Sequence, residues 1–529
     1  MKTRDFHLPG RSPVYAREGM AATSHPLASL AAIETLKAGG TAADAAIAAV
    51  AVLCVVEPAM TGIGGDCFCL VAKPDQPVWG YNGSGRAAAA VTIEKLLAQG
   101  MPRKIPATSA HAVTVPGAID AWEAILQAHG RFGLDRVLQH AIGHAENGFA
   151  IAPRVGSDWA GVVDKLKPHA GSTKYYLVNG AAPEIGSVLR LPALAATLRT
   201  IGAGGAKAFY QGAIAADIAA TVQQKGGLLA AEDLARHQGD VVTPISTNYR
   251  GLDVVELPPN GQGLTALVLL NILEQFDVAK LDPLGPERLH LALEAARLAY
   301  GVRDTHIADP AFMRQPVAGL LDKGFAKKLA RFIDPARRVA MPKAPTPTSD
   351  TIYLTVVDRD GTAVSLINSL YSAFGSGICT EQSGVMLHNR GTGFVLEPGH
   401  PNGIAPGKRP MHTIIPALAM RNGRCEMPFG VMGADYQPMG HTHLITNMVD
   451  YGMDVQAAID HPRMFYEGER TDVERGVPAA TIAGLKSRGH DVAFRPAPLG
   501  GGQAIVIDWE RGVLIGGSDP RKDGCALGY

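Results

Sequence analysis

The chain has 529 residues, equal numbers of basic and acidic side chains (49 Lys and Arg, 49 Asp and Glu) and 47% hydrophobic residues. This length allows roughly two to four domains, or one large layered body with a core big enough for an enzyme. A net charge of zero provides no field that would attract nucleic acid or an anionic membrane, so neither is an expected partner.

The six cysteines are spaced irregularly, which is typical of reduced thiols rather than of a disulfide framework. Cys67 and Cys69 form the only close pair, and no histidine or second cysteine pair near them completes a tetrahedral metal site. The first segment, MKTRDFHLPGRSPVYAREGM, lacks the run of about 7–15 apolar residues that a signal peptide needs. The sequence therefore predicts a cytoplasmic protein with no metal and no cofactor.

In chain order, the first predicted elements are two helices and a strand. The sequence HPLASLAAIETLKAGG, from His25, predicts a helix that ends at Gly39 and Gly40, and an alanine-rich helix follows up to Pro58. The apolar run AAIAAVAVLCVV in the second helix is too short to cross a bilayer and predicts a buried helix. The glycine-rich turn TGIGGD then leads into an alternating strand. The order of helix, glycine turn and strand is the reverse of a dinucleotide site.

Residues 115–335 show apolar spacings of three and four, which predict helices that cover a core. After residue 350 the pattern changes to hairpins. TIYLTVV and TAVSLI flank the turn signal Asp360-Gly361, and GGGQAIVIDWERGVLIGGSD predicts a second hairpin near the end of the chain. Between the helical and hairpin regions, PKAPTPTSD (342–350) has the composition of a flexible or cleavable linker.

Thr351 stands where this linker stops and the strand pattern begins. A threonine hydroxyl becomes an effective nucleophile when a base takes its proton, and the α-amino group of the same residue, with a pKa of about 8, can be that base. This chemistry requires the threonine to become a chain terminus, which cleavage just before Thr351 would achieve. From the pattern alone, an ordinary strand that begins with threonine is the commoner explanation.

Several segments follow one another in an order that is specific to one family of proteins. They are AGGTAADAAIAAVAVLCVVEPAMTGIGGDCFCLV, LPPNGQGLTALVLLNILEQFD, TIYLTVVDRDGTAVSLINS, FGSGI, SGVMLHNR, GKRPMHTIIPALA, DYGMDVQAAIDHPR and SDPRKDGCALGY. In this order they resemble the successive signatures of the γ-glutamyltranspeptidase family, and together they span nearly the whole chain.

The resemblance implies an N-terminal-nucleophile hydrolase with an α+β fold, a four-layer αββα sandwich in which two antiparallel sheets lie between helical layers. It also implies self-cleavage between Asp350 and Thr351. The products would be a large subunit, residues 1–350, and a small subunit, residues 351–529, which together form one structural body.

Four catalytic residues follow from the resemblance. Thr351 matches the nucleophile, and Ser369 matches a hydroxyl that contacts the nucleophile and supports self-cleavage. Gly433 and Ala434 match two glycines whose backbone N–H groups form the oxyanion hole. An alanine keeps its N–H, so we expect oxyanion stabilisation to be retained.

The residues that would bind a glutamate head group differ from the family pattern. Ser84 stands in place of an arginine that binds the α-carboxylate, Tyr371 in place of an asparagine, and Gly393 in place of an aspartate near the amino group. His412 and Thr413 replace a pair of serines. These changes argue against a γ-glutamyl substrate, whereas the residues that cleave the amide are kept.

Arg390 stands where the family usually has a neutral side chain near the same pocket, and its planar fork suits a substrate carboxylate. A surface or ion-paired arginine is an equal alternative, and Arg86 is the second candidate for the carboxylate. We expect His412 to be a hydrogen-bonded part of the pocket wall, because the terminal amine already supplies the base. The candidate substrate-binding residues are therefore Arg390, Arg86, Ser84, Tyr371, His412 and Thr413.

The leading hypothesis is an amidohydrolase that acts on a small amide carrying a carboxylate. The chain looks like the oxamate amidohydrolase branch of the family, which releases oxalate and ammonia in purine breakdown. The alternatives are a γ-glutamyl hydrolase or transpeptidase, a cephalosporin-type acylase, and an uncleaved, inactive relative that acts as a binding protein. The expected partners are the small-molecule amide and the two subunits of one precursor. Whether two such heterodimers form a dimer is left open.

Overall fold

The structure is a computed structural model that describes residues 7, 10–340 and 351–529. The whole predicted linker, 342–350, with the expected cleavage residue Asp350, lies outside the described residues. The strands of the described ranges, in chain order, are β1 (Val14–Ala16), β2 (Met20–Thr23), β3 (Asp66–Ala72), β4 (Trp79–Gly83), β5 (Phe149–Ala150), β6 (Val188–Leu189), β7 (Asp240–Val242), β8 (Ile245–Tyr249), β9 (Leu252–Glu256), β10 (Ile352–Val357), β11 (Ala363–Ser369), β12 (Ala417–Arg421), β13 (Arg424–Met432), β14 (Met464–Glu467), β15 (Arg470–Val473), β16 (Asp491–Phe494), β17 (Gly501–Asp508), β18 (Val513–Ser518) and β19 (Cys525–Gly528).

The helices of the same ranges differ widely in length, from one turn to more than five. They are α1 (Pro26–Lys37), α2 (Ala42–Val56), α3 (Ile93–Ala98), α4 (Ala118–His129), α5 (Leu134–Val137), α6 (Gln139–Asn147), α7 (Pro153–Ala160), α8 (Val163–Leu166), α9 (Ala170–Tyr176), α10 (Pro192–Tyr210), α11 (Ala213–Gln224), α12 (Ala231–Ala235), α13 (Gly263–Leu273), α14 (Pro286–His306), α15 (Val317–Leu321), α16 (Lys323–Ala330), α17 (Gln437–Val449), α18 (Val455–Asp460) and α19 (Ala479–Ser487). Among these described helices, none has both the length and the apolar composition needed to cross a bilayer.

Two antiparallel sheets form the centre of the molecule. In the part of the chain that the structure describes, sheet I has the seven-stranded order β1-β18-β17-β13-β12-β9-β8 and sheet II has the seven-stranded order β19-β2-β10-β11-β3-β4-β7. Helices α1, α2 and α4 cover the outer face of sheet II, and α13, α17 and α18 cover the outer face of sheet I. The result is the predicted four-layer αββα sandwich.

The side chains of β10 show how the layers are formed. Ile352, Leu354 and Val356 point into the core shared with α2, whereas Tyr353 and Val357 point into the core between the two sheets. This alternation follows from the period of two along a strand. Both faces of β10 are buried, which suits its largely hydrophobic sequence, and its polar residue Thr355 donates to the Val364 carbonyl at 2.9 Å.

Helix α2 explains how a helical layer can approach sheet II closely. All fifteen of its residues are buried. Because many of them are alanines with small side chains, the helix backbone can lie close to the sheet. The helix begins with a capping box in which Thr41 accepts from the Asp44 N–H and Asp44 accepts from the Thr41 N–H. The prediction of a buried, alanine-rich helix is therefore confirmed.

Residues 115–335 are mostly helical, in line with their apolar spacings, but one stretch of them adds strands to the two central sheets. Strands β7, β8 and β9 lie within it, and β8 and β9 form a hairpin at the edge of sheet I. Their turn places Arg250 and Gly251 at φ values of 51° and 86°, the left-handed pair that a two-residue hairpin requires. This hairpin was not predicted because its two-residue turn begins with arginine, which is uncommon at that position.

Candidate active site

Strand register brings three polar residues together at one end of sheet II. The pairing of β10 with β11 sets Ile352 opposite Asn368, so Thr351 comes next to Ser369. The pairing of β11 with β3 then sets Ser369 opposite Asp66. We call Thr351, Ser369 and Asp66 the hydroxyl row. By the alternation of their strands, all three side chains face sheet I, where Tyr353 of β10 also points.

The two hydroxyl groups of this row are in direct contact. The Oγ1 atom of Thr351 lies 3.0 Å from Oγ of Ser369, and the N–H of Tyr371 donates to the same Ser369 oxygen at 2.9 Å. Tyr371 has a φ of 78°, an uncommon conformation for an aromatic residue that is found where the surrounding structure enforces it. Because Thr351 is only 1% exposed, its hydroxyl is closed off from solvent in this single-chain structure.

Arg390 is fully buried beside the hydroxyl row. Its Nη1 donates to Thr413 Oγ1 at 2.8 Å, and its Nη2 lies 3.5 Å from Ser369 Oγ. The guanidinium carbon stands 4.2 Å from the centre of the Tyr371 ring, and Nε is 4.0 Å from the Asp66 carboxylate. Burial lowers the pKa of Arg390 to about 10, which leaves the side chain charged at neutral pH.

Several N–H groups of Arg390 remain available for a ligand. A guanidinium has five N–H donors, and within the described ranges its Nε has no hydrogen-bond acceptor. Such a group in a fully buried position is unusual, since buried polar atoms are nearly always hydrogen-bonded. An anion between Arg390 and the hydroxyl row would supply the missing acceptor.

Asp66 connects Arg390 with two histidines. Its Oδ1 accepts the N–H groups of Gly85 and Gly117 at 3.1 Å, while its Oδ2 lies 2.9 Å from His412 Nε2 and 3.4 Å from His388 Nδ1. Burial opposes ionisation of this carboxyl, but His388 and His412 more than offset it and hold the pKa of Asp66 well below its usual value. The carboxylate is therefore charged and faces Arg390.

His412 is a neutral hydrogen-bond donor in this arrangement. Its Nδ1 accepts the N–H of Ile414 at 3.3 Å, so the ring proton is on Nε2 and is donated to Asp66. Burial, and then the charge of Arg390, lower the pKa of His412 to about 3. His412 is thus a buried, hydrogen-bonded residue beside Asp66.

Gly433 and Ala434 form the turn between β13 and α17. Their φ values are 119° and 48°, and Gln262 supports the turn by donating from Nε2 to the Ala434 carbonyl at 2.8 Å. A side chain at Gly433 would come within 3.0 Å of the Gly500 backbone, which explains the glycine. In residues 10–340 and 351–529, neither the Gly433 nor the Ala434 N–H has an acceptor, so both N–H groups are free to donate to a ligand.

Ser84 and Arg86 occupy different environments. Ser84 is buried, donates to Asn82 Oδ1 at 2.7 Å and accepts from Asn260 Nδ2 at 3.2 Å, so its hydroxyl is held by amides. The Arg86 side chain is 41% exposed and lies 3.7 Å from Asp240 and 3.8 Å from Asp309. Of the two candidate cations, only Arg390 contacts the hydroxyl row in the structure.

A cavity of about 340 Å³ adjoins this group of residues. Tyr371, whose ring contacts the Arg390 guanidinium, lines it together with Gly393, Met411, Arg103 and Lys104. Gly393 therefore lies beside a ligand-sized space.

The γ-glutamyltranspeptidase family model matches residues 28–529. The chain belongs to this family. It is 39% identical to the glutathione hydrolase-like YwrD proenzyme of Bacillus subtilis strain 168, over 97% of this chain and 99% of that protein. It is 34% identical to the oxamate amidohydrolase proenzyme of Klebsiella pneumoniae, over 97% of this chain and 98% of that protein. The crystal structure of cephalosporin acylase from Bacillus halodurans superposes with a TM-score of 0.93 at 38% identity, covering 100% and 99% of the two chains.

These similarities confirm the resemblance drawn from the sequence segments and the N-terminal-nucleophile hydrolase fold. The three named proteins are two hydrolases and one acylase, and the two hydrolases are proenzymes. These relatives are named for different substrates. Which amide this chain hydrolyses must therefore be inferred from the residues of its own pocket.

Two members of the site were missed in the sequence. Asp66 stood in the glycine-rich turn TGIGGD, where a carboxylate at the first position of a buried strand was the available signal. Gln262 holds the carbonyls of both Thr413 and Ala434 at 2.8 Å. No local pattern in the sequence identifies Gln262, because its role depends on two segments that are distant along the chain.

Proposed function

We propose that this protein is an amidohydrolase that cuts its own chain between Asp350 and Thr351 and then uses Thr351 to hydrolyse a small amide carrying a carboxylate. Oxamate is the simplest such amide and would give oxalate and ammonia. The large and small subunits, residues 1–350 and 351–529, would stay together in one body. The observation that carries the proposal is the buried Arg390 with spare N–H groups beside the Thr351 hydroxyl.

The proposed chemistry assigns one task to each part of the site. After cleavage, the new α-amino group of Thr351 takes the hydroxyl proton while Oγ1 attacks the amide carbon. The N–H groups of Gly433 and Ala434 receive the negative charge that develops on the carbonyl oxygen. The proton then passes to the leaving nitrogen, and water hydrolyses the acyl ester on Thr351. Ser369 orients the Thr351 hydroxyl in both the self-cleavage and the turnover.

Arg390 and its neighbours support a carboxylate next to the scissile carbonyl. A guanidinium can bind a carboxylate through two parallel hydrogen bonds, and Thr413 and Tyr371 fix the plane of the Arg390 group. A γ-glutamyl substrate would in addition need partners for its ammonium group. Tyr371 and Gly393 offer no amide or carboxylate oxygen for this group, which would then depend on Asp304 and Asn402 elsewhere in the cavity lining, and a buried charge left unpaired costs several kcal/mol.

The second candidate is a γ-glutamyl hydrolase, which is favoured by the name of the relative that is 39% identical. A cephalosporin-type acylase remains the third, because the structural likeness to such an enzyme covers the whole chain. An uncleaved binding protein is the remaining alternative, and it predicts no processing at all.

Processing is tested first with the purified full-length chain. We expect two bands on a denaturing gel, and the smaller band should begin at Thr351. Thr351→Ala should remain a single chain without activity. Two bands from Thr351→Ala, with cleavage still before residue 351, would contradict autocatalysis, and a single inactive wild-type chain would support the binding protein.

Substrate choice is tested with the processed enzyme on oxamate, a γ-glutamyl anilide and a glutaryl amide. We expect kcat/KM on oxamate to exceed that on the γ-glutamyl compound by about a hundredfold or more, since each 1.4 kcal/mol is about tenfold. A preference for the γ-glutamyl or the glutaryl compound would replace the proposal with the corresponding alternative.

A further inference from the structure

The turn that carries the two free N–H groups has an uncommon backbone conformation. We call its residues, Gly433, Ala434 and Asp435, the 433–435 turn. Gly433 and Ala434 have φ values of 119° and 48°. Glycine adopts positive φ values easily, but alanine does so at a steric cost and only where the surrounding structure enforces it. Contacts from outside the turn therefore hold the two N–H groups in place.

These contacts come from a part of the chain that is distant in sequence. Gln262 Nε2 donates to the Ala434 carbonyl at 2.8 Å. The Tyr300 hydroxyl donates to the Asp435 carbonyl, and Arg303 Nη1 donates to Asp435 Oδ1 at 2.7 Å. The first donor directly precedes α13, and the other two lie on α14. After the proposed cleavage the donors would belong to the large subunit and the turn to the small one.

Arg303 connects two of these contacts. Its Nη1 also donates to Gln262 Oε1 at 2.9 Å, which orients the amide so that Nε2 of Gln262 faces the turn. Its Nε donates to Asp304 Oδ1 at 2.8 Å. The Arg303 side chain is only 3% exposed, so solvent does not compete strongly for these bonds. Arg303 thus holds the turn directly through Asp435 and indirectly through Gln262.

The buried carboxylate of Asp435 depends on Arg303. In residues 10–340 and 351–529, Arg303 is the one side chain that donates a hydrogen bond to it, because Oδ2 has no partner there. Removing one member of a buried ion pair leaves the other without compensation in a place that water hardly reaches. A turn without Arg303 would therefore move or loosen to bring Asp435 to solvent.

We propose that Arg303 is a positioning residue that holds the N–H groups of Gly433 and Ala434 in place for the developing oxyanion. This inference rests on the proposed function and deepens it, because one subunit would set the geometry of the oxyanion site in the other. The carbonyl oxygen of a bound amide becomes negative only as Thr351 Oγ1 attacks. Loosening the turn should therefore slow the chemical step more than it weakens binding.

The test measures kcat on oxamate and the inhibition constant of glycolate with the processed enzyme. Glycolate keeps a carboxylate for Arg390 but has no carbonyl, so it reports binding without an oxyanion. Arg303→Met should lower kcat about tenfold to a hundredfold, because loss of a whole oxyanion donor costs about a hundredfold to a thousandfold. The inhibition constant of glycolate should change by less than about threefold.

Conservative variants and a matched control assign the loss of kcat to the turn. Arg303→Lys keeps the charge but not the fork, and should recover part of kcat. Arg297→Met removes another buried arginine of α14, which pairs with Glu294 at 2.6 Å and donates to the Val339 carbonyl instead of the turn. Arg297→Met should lower the melting temperature and keep kcat near the wild-type value. All variants are assayed well below their melting temperatures.

The outcomes separate this proposal from the proposed function. A wild-type kcat in Arg303→Met overturns the positioning role, and so does an equal loss of kcat in Arg297→Met or an equal loss of glycolate binding in Arg303→Met. In each of these cases, hydrolysis of oxamate by the wild type still upholds the proposed function. If the wild type prefers the γ-glutamyl or the glutaryl compound, the proposed function falls, while a lower kcat of Arg303→Met on that compound with KM unchanged upholds the positioning role. If no amide is hydrolysed, both proposals fall.

Discussion

The hydroxyl row and the wall around Arg390 lie side by side but are positioned by different forces. Thr351, Ser369 and Asp66 are placed by the hydrogen-bond register of three neighbouring strands. The residues that surround Arg390 come from segments between strands and are held by individual side-chain hydrogen bonds, such as that from Arg390 to Thr413. We call Tyr371, Arg390, His412 and Thr413 the recognition wall.

This difference explains how the chemistry and the substrate can vary separately. Changing a register moves every residue of a strand, so the positions of the hydroxyl-row residues cannot shift one at a time. A wall of side chains can be altered one substitution at a time, because each contact depends on two residues only. The predictions that follow break one region while the other is monitored, and they are ordered by their expected effect on catalysis.

The largest effect is expected at Asp66, which belongs to the hydroxyl row and also contacts the recognition wall. Asp66→Ala would remove the carboxylate that faces the Arg390 guanidinium and the acceptor of the His412 Nε2–H in a buried site, which costs about 3–5 kcal/mol. We expect a lower melting temperature and loss of both processing and turnover. Asp66→Asn keeps the size of the side chain and an acceptor oxygen, and should retain the fold better than alanine.

The extent of the Asp66→Asn defect measures how far the two regions depend on each other. If processing on a denaturing gel remains normal while KM for oxamate rises, Asp66 serves the recognition wall alone. Normal processing and normal kinetics in both variants would contradict any role of Asp66 in connecting them.

The next largest effect is expected at Arg390, within the recognition wall. Arg390→Ala should lower kcat/KM on oxamate by about tenfold to more than a hundredfold, the value of a charge-assisted hydrogen bond worth about 1.5–3 kcal/mol. Processing should continue, because the Thr351–Ser369 contact does not involve the charge. Arg390→Lys should recover only part of the loss, since lysine keeps the charge but not the planar fork.

Arg86→Ala is the matched control for Arg390→Ala. Arg86 lies near Asp240 and Asp309 and has a 41% exposed side chain, so its removal should change kcat/KM much less. A silent Arg390→Ala together with a strong effect of Arg86→Ala would exchange the two assignments.

The comparison of the two regions also explains what could be predicted from the sequence. The hairpin around Asp360 and Gly361 has an alternating pattern and a strong turn signal, so its two strands could be predicted from local sequence, whereas the connection 358–362, which sets the register that brings Thr351 to Ser369, could not. The four-layer fold was implied by the family signatures, which are read in order along the chain. Both rest on information that is continuous in the sequence.

The recognition wall could be predicted only as a set of substitutions. That Arg390 is buried and that Arg86 is partly exposed depends on segments that lie far apart along the chain, and both side chains are the same residue type. Asp66 was not recognised for the same reason: its partners His388 and His412 come from distant loops. The strands β8 and β9 were missed because their turn lacks the usual asparagine or aspartate.

A moderate effect is expected at Ser369, within the hydroxyl row. Ser369→Ala removes the 3.0 Å contact with Thr351, a loss of about 1 kcal/mol or more in a buried site, and should slow processing about fivefold or more. The fraction of cleaved chain over time measures this. Ser365→Ala is the control, because it removes another buried hydroxyl of β11 that contacts Tyr353 instead of Thr351. Normal processing with weakened substrate binding would place Ser369 in the recognition wall.

The smallest effect on catalysis is expected at Glu57, a buried carboxyl outside both regions. Unlike Asp66, Glu57 has no histidine partner in the described part of the chain, and its Oε2 accepts a hydrogen bond from Ser24 Oγ at 2.9 Å. Burial raises the pKa of Glu57 to about 7, although Lys522 partly opposes this shift. The unfolded chain loses this proton near pH 4.5 and the folded chain keeps it until about pH 7. The stability that Glu57 contributes is therefore complete below about pH 4.5 and is lost as the pH rises to about 7.

Glu57→Gln should remove this pH dependence and leave kcat/KM near the wild-type value. At pH 5 the variant and the wild type should have similar melting temperatures. As the pH rises, the variant should become more stable than the wild type, by at most about 3 kcal/mol in the free energy of unfolding at pH 8, since one pKa unit corresponds to about 1.4 kcal/mol. Asp66→Asn should behave in the opposite sense, because the depressed pKa of Asp66 stabilises the fold above about pH 4 and this contribution is lost as the pH falls further. If both variants changed with pH in the same direction, the charge state of one of the two carboxyls would be assigned wrongly, and with it the electrostatic role of Asp66 beside Arg390.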